Sequence, residues 1–410
     1  MSALVPSGRV LAIILAGGKG ERLYPLTKER SKPAVPFGGK YRLIDFVLSN
    51  FVNSGVLSIY ILVQYLSQSM IEYIRANWRT AGLTRDQFIT MVPPQMRLGD
   101  SWYRGTADAV RQNLNLILDF DPDIVAVFGA DHIYRMDVGQ MLRFHAQSKA
   151  DITVAAIPVH WKQASAFGII QADAKGRMTG FQEKPKDPKR VPGTEHVLAS
   201  MGNYLFNRDA LVDILSTTTF DSELDFGKSI LPNEFKKRRI FVYDFAKNQL
   251  PGLKDYEEKG YWRDVGTLSA FYDANMDILG AKPKLNLNNR KWFIHSGRYD
   301  GPPAKVLDAK LSNCIVGDGC FLRQCTVKNS ILGRGVHVHE GAVIEDSIIM
   351  DFCKIRANAK IRRTIVDRFN DIPMRESIGF DAKRDAERYF VDPSGLVAVS
   401  RGKTRITNLA

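Results

Sequence analysis

The sequence predicts an α/β domain built on a mainly parallel sheet, followed by a C-terminal parallel β-helix. Three observations lead there. Short, nearly charge-free runs rich in β-branched residues alternate with helical stretches from residue 10 to about 280; a glycine-rich turn follows the first run; and apolar residues recur every 17 positions from Ile315 onward. A chain of 410 residues is too long for one ordinary core, and 45% apolar with 25% charged residues is globular composition.

The strands come first. "VLAIIL" (10–15), "SIYILVQ" (58–64), "DIVAVFG" (123–129) and "DITVAAIPV" (151–159) read as buried strands, with helical candidates at 105–118 and 136–149. Ligands of such a sheet gather at the carboxyl ends of its strands, where the turn after Leu15 and the acid Asp131 both fall. Residues 281–314, rich in Pro, Asn and Gly, read as a linker between a domain over 1–280 and a second over 315–410. In the second, Ile315, Leu332, Ile349 and Val366 each begin a block. Further anchors follow at Phe321 and Val327, Val338 and Ile344, Ile355 and Ile361, and Ile372 and Ile378. Steps of six, six and five residues describe a chain wound round a triangular prism with about four coils. His337 and His339 flank the inward Val338 and read as outward polar positions rather than acyl-transfer bases.

The net charge of +13 calls for anionic partners. "KKRR" (236–239) stands alone without interleaved aromatics, which argues against nucleic acid. No stretch approaches the roughly 18 apolar residues of a membrane helix, and "MSALVPSGRV" lacks the apolar core of a signal peptide, so a cytoplasmic location is expected. Cys314, Cys320, Cys325 and Cys353 match neither a metal pair nor a disulfide framework and read as reduced thiols.

The turn "GGKGER" (17–22) suits phosphate, because glycines let backbone N–H groups approach an anion closely. It fails the Walker pattern, since its lysine precedes Gly20, and it lacks the dinucleotide glycine spacing. Arg22, Lys32 and Arg42 lie downstream, and Pro25, Pro33 and Pro36 keep that segment an extended loop able to aim cations at a polyphosphate. Two acids without a cysteine or histidine cluster, Asp131 at a strand end and Asp264 before a helix near Leu268, suit Mg²⁺. Asp264 also fits an N-cap-like or salt-bridged loop residue. Glu183 and Lys184 end a strand and read equally as edge-strand surface; Gln64 offers an amide to a base edge or a generic strand cap.

"LAGGKGERLYPLT" with "SKPAVPFGG" resembles the signature of sugar-nucleotide pyrophosphorylases. "WYRGTADAVRQN", "GADHIYRMD", "SAFG", "EKP", "ASMGNYLF", "DFGK" and "YWRDVGT" narrow the resemblance to the ADP-glucose pyrophosphorylases of bacterial glycogen synthesis. It implies a Rossmann-like nucleotidyltransferase domain and a left-handed β-helix, with ATP and glucose 1-phosphate as substrates, Mg²⁺ as cofactor and a homotetramer. By the same resemblance, Leu15, Gly17, Gly18, Gly20, Gln64, Gly105 and Asp108 bind ATP. Tyr103, Gly168, Glu183, Lys184 and Ser200 bind glucose 1-phosphate; Asp131 and Asp264 hold the metal; and Asp131, Arg22, Lys32 and Lys184 act in catalysis. Gln64 and Trp102 are linked to regulatory communication, and Arg42 and Arg388 match basic positions for small phosphorylated allosteric effectors.

The pattern departs from relatives at Glu21, where many have Thr or Ser, and near Lys28. Relatives activated by fructose 1,6-bisphosphate carry lysine at Glu29 and histidine at Pro36. Hexose monophosphates or pyruvate are therefore the expected effectors. A UDP- or dTDP-glucose pyrophosphorylase and a non-catalytic regulatory subunit are the competing readings.

Overall fold

The computed structural model describes residues 8–78, 86–97, 99, 101–217 and 224–403. The N-terminal residues 1–7, read above for a signal peptide, and the last residues of the β-helix domain, 404–410, lie outside the described residues. Among the described residues no helix is long and apolar enough to cross a membrane.

The first domain is built on a nine-stranded mixed sheet. Strands β1 (Val10–Leu15), β2 (Ser58–Leu62), β3 (Phe88–Val92) and β4 (Ile124–Gly129) form its parallel half in the order β4-β1-β2-β3. Beyond β4 come β5 (Ile152–His160), β6 (Gly168–Ala172), β7 (Met178–Glu183), β8 (His196–Asn207) and β9 (Ile240–Asp244). The long β8 organises this half: it runs antiparallel to β4, β5 and β6. Leu11, Ala12, Ile13 and Ile14 of β1 are all buried, because helices cover both faces of the sheet. The helical stretch expected over 105–118 is two helices, Thr106–Arg111 and Leu114–Phe120.

The β-helix has three sides, each a parallel sheet climbing one strand per coil. Its first strands, Lys305–Leu307 and Lys310–Ser312, lie inside the stretch expected to be a linker, so there are five coils rather than about four. The first turns of the spiral are also one residue shorter than the later ones. Leu332 therefore stacks on Val316 rather than Ile315, and Val338 on Leu322 rather than Phe321, whereas Leu332 to Ile349 to Val366 keeps the expected spacing. The triplets "NSI" (329–331), "DSI" (346–348) and "RTI" (363–365), 17 residues apart on successive coils, have a double function. Ser347 and Thr364 donate their backbone N–H to the hydroxyls of Ser330 and Ser347 at 3.1 and 3.2 Å, a buried ladder inside the coil stack. Ile331, Ile348 and Ile365 face outward and join Leu23, Leu26, Val35 and Phe271 in one apolar cluster, which docks the β-helix on the first domain.

Candidate functional site

A cleft of about 830 Å³ opens at the carboxyl ends of β1, β2 and β4. Leu15, Gly17, Gly18 and Gly20 line one wall. Gly20 has φ 66°, and a Cβ there would lie 2.8 Å from the Lys32 Cβ, so the glycine turn and the cation-bearing loop pack against each other without room for a side chain. Thr27 closes that loop by donating its hydroxyl to the Gly20 carbonyl at 3.0 Å.

Lys32 is the centre of the site. Its side chain is only 8% exposed, and its Nζ donates to Asp131 Oδ2 at 2.9 Å and Asp264 Oδ1 at 3.2 Å. The acids meet because His132–Tyr134, directly after Asp131, pairs antiparallel with Trp262–Asp264, which sets Asp264 opposite His132. Thr267, not Asp264, caps the following helix Leu268–Met276, so Asp264 is left to the cleft. Burial pulls the Lys32 pKa down, but the two carboxylates outweigh it and raise the ammonium above its ordinary value. Burial pushes Asp131 up, yet Lys32 and then His132 hold it well below the usual carboxylate range. Arg22 leans on the same turn: a Cβ on Gly266 would sit 3.1 Å from both its Nη2 and Asp264 Oδ1. Donor atoms of Asp131, His132 and Asp264 lie within 4.8 Å of one another, and a set led by two carboxylates fits a hard divalent cation.

At the other end of the cleft, β6 and β7 pair so that Gly168 lies opposite Glu183. Lys184 follows in a left-handed conformation, φ 45°, with its backbone N–H on the Phe167 carbonyl at 3.0 Å and its ammonium 3.7 Å from Glu183. Ser200 and Tyr103 complete the wall. Gly105, φ 131°, brings its backbone against Leu224: a Cβ there would be 2.2 Å from the Leu224 carbonyl oxygen.

Two expected nucleotide contacts are placed differently. Asp108 is 3% exposed and turned back on its own helix, accepting from Arg104 N and Gln112 Nε2, both at 2.8 Å. A carboxylate in a first helical turn satisfies local N–H groups, and here that keeps it out of the cleft. Gln64 lines the cleft, but its amide is committed to the Tyr103 backbone, accepting at 2.7 Å and donating at 3.3 Å. It clamps the segment that carries Trp102, itself 55% exposed and outside the cleft lining. Sequence reasoning gave no role to His132, Phe181, Asp225, Trp262 and Gly266 in that lining, although Phe181 lies two residues before "EKP" and the other four lie inside quoted motifs.

A smaller cavity of about 330 Å³ lies where the β-helix meets the first domain, lined by Arg30, Arg42, Arg368 and Arg401 together with the acid Glu72. Arg42 lies over the Tyr73 ring at 4.1 Å, and Arg368 and Arg401 over Phe369 at 4.8 and 5.2 Å. Burial, then the neighbouring Arg368, lowers the Arg42 pKa to about 10. Glu29 sits at the rim, 3.2 Å from Arg401. Arg388, expected to join Arg42, instead chelates Glu376 at 2.8 and 2.9 Å and does not line this cavity. Its helix, Ala382–Arg388, holds it on the Glu376 carboxylate.

Residues 11–280 match the nucleotidyl transferase family, and residues 302–399 match the GlmU-like C-terminal hexapeptide, the repeat of left-handed β-helices. Among curated proteins the chain is 52% identical over 395 residues to the glucose-1-phosphate adenylyltransferase of Thermodesulfovibrio yellowstonii, covering 96% of each chain. It is 48% identical to that of an Anaeromyxobacter species and 45% identical to that of Photobacterium profundum, covering 96% of this chain and 98% of each relative.

Proposed function

Since the chain belongs to the nucleotidyl transferase family, and within it to the glucose-1-phosphate adenylyltransferases, we propose that this cleft joins ATP to α-D-glucose 1-phosphate. The products are ADP-glucose and pyrophosphate. An oxygen of the sugar phosphate attacks the α-phosphorus, the bond to the β-phosphate bridge breaks, and pyrophosphate leaves with the electron pair. No protein nucleophile is needed, because the attacking oxygen is already anionic. Catalysis is therefore positioning and charge neutralisation.

The observation that carries the reading is the buried Lys32 between two acids, beside a glycine turn and facing Lys184 across one cleft. The glycine amides and Arg22 suit the triphosphate; Lys184 suits the sugar phosphate, and Glu183 and Ser200 the sugar hydroxyls. Asp131 and Asp264 would hold Mg²⁺, which when bound neutralises phosphate charge. Arg22, Lys32, Asp131 and Lys184 all line the cleft, which argues against a non-catalytic subunit. The test is nucleotide competition on glucose 1-phosphate with Mg²⁺: ATP is expected to be used at least about tenfold better than UTP or dTTP, as a site built for one base's polar edge discriminates by more than 1.4 kcal/mol. Preference for UTP or dTTP would reassign the enzyme within its family.

The product is the activated donor for glycogen synthesis, and the arginine cavity is the effector site. Four guanidiniums suit a phosphorylated metabolite or small carboxylate. Arg30 already pairs with Asp367, Arg368 with Asp351 at 3.6 Å and Arg401 with Glu29 at 3.2 Å, and this partial neutralisation favours hexose monophosphates or pyruvate over a bisphosphate. Arg368→Ala is expected to raise the half-saturating effector concentration about tenfold or more, with activity in the absence of effector nearly unchanged; an unaltered activation curve places the effector elsewhere.

Two features support further parts of the reading. The first coil leaves Val306 and Leu311 exposed at 45% and 39%, whereas Leu322 and Val327, stacked on them one coil later, are fully buried. An uncovered coil end of this kind suits self-association, in line with a homotetramer. The four cysteines are free thiols, as a reducing cytoplasm would keep them.

A further inference from the structure

The two acids assigned to the metal already have a cation. Lys32 Nζ lies 2.9 Å from Asp131 and 3.2 Å from Asp264, on a side chain pinned by the Gly20 turn. His132 Nδ1, 3.6 Å from Asp131 Oδ1, makes no hydrogen bond to it and is buried without a hydrogen-bond partner among the described residues, so Lys32 is the closest cation to both acids. A divalent ion about 2.1 Å from the same oxygens would lie no more than about 5 Å from the ammonium. At that range, in a site walled by protein, two like charges repel strongly unless an anion enters with the ion.

We propose that Lys32 is a resident stand-in for the metal. In the free protein it neutralises Asp131 and Asp264, and a divalent ion takes up these acids only together with a triphosphate, whose oxygens receive the displaced ammonium. The cleft thereby selects the metal–nucleotide complex over the free ion. Lys32 has one charge to give, to the acids before binding and to the phosphates after it. This rests on the assignment of Asp131 and Asp264 as metal ligands.

The test uses Mn²⁺ as the probe, with the full chain, by electron paramagnetic resonance and water-proton relaxation. Without nucleotide, Lys32→Met is expected to bind Mn²⁺ at least about tenfold more tightly than the wild type, since two carboxylates lose the ammonium they share. Adding Asp264→Asn to Lys32→Met is expected to abolish the gain. Thermal melts establish folding, and Lys32→Gln serves as the second variant. Equal or weaker Mn²⁺ binding by folded Lys32→Met and Lys32→Gln would overturn the proposal. If, in addition, Asp131→Asn abolishes the relaxation enhancement of the Mn²⁺–ATP complex, the metal assignment survives and only the stand-in role falls. If it does not, both fall.

Discussion

Asp131→Asn is expected to lower kcat by roughly 10³-fold while the melting temperature stays within a few degrees of the wild type. Asparagine keeps the size and one acceptor for Lys32, and Asp264 remains 3.2 Å from the ammonium, so the loop that carries Lys32 keeps a partner. What is lost is the charge. One of the two hard ligands proposed for the metal disappears, and the ammonium is left partly unneutralised where polyphosphates must be aligned. Positioning and electrostatics are the whole of this catalysis, so no second group takes over. Steady-state turnover beside a thermal melt checks it; a variant retaining a tenth of the activity would remove Asp131 from the chemistry.

Arg30→Met is expected to destabilise the protein by about 3–5 kcal/mol. Arg30 and Asp367 form an ion pair with side chains 5% and 0% exposed, joining the loop before Lys32 to the fourth coil of the β-helix. Removing the guanidinium leaves the buried Asp367 without its ion-pair partner, only its Oδ1 still accepting from the Arg368 backbone N–H at 2.6 Å. Asp367→Asn should restore much of the loss when added to Arg30→Met, because the uncompensated charge causes the damage rather than the missing contact. Denaturant unfolding of the two single variants and the double variant measures the coupling. Additive losses would show that the pair contributes no net interaction.

The parts of the fold carried by local pattern are readable from sequence. β1 lies where its run of six apolar residues places it, and Asp131 reaches the cleft because an acid just past a buried strand emerges at the ligand edge. Asp108 shows where this stops: a carboxylate in a first helical turn looks the same whether it faces a ligand or its own backbone. Gln64 does reach the cleft, but local pattern does not show that its amide is bonded to the Tyr103 main chain there, since the same edge serves a backbone as well as a base. The β-helix register slips at Val316 and Leu322 because turns one residue shorter are invisible to a period set by the later coils. Arg368 and Arg401 carry no motif and join Arg42 only through the docking of two domains, which no local pattern encodes.

The two ends of the β-helix are unlike, and the difference limits what it can build. The first coil, with Val306 and Leu311 uncovered, offers bare strand edges on which another chain could continue the spiral. The far end turns into Ala382–Arg388 and then Phe390–Val391, which runs antiparallel to Val397–Val399 and breaks the parallel climb. On that side the far end offers no parallel edge to match the open one, whereas Asp371–Ile372 and Ser377–Ile378 end the other two sides. Lys305 and Lys310 on the open rung put charge on these bare edges, a guard against indiscriminate strand pairing.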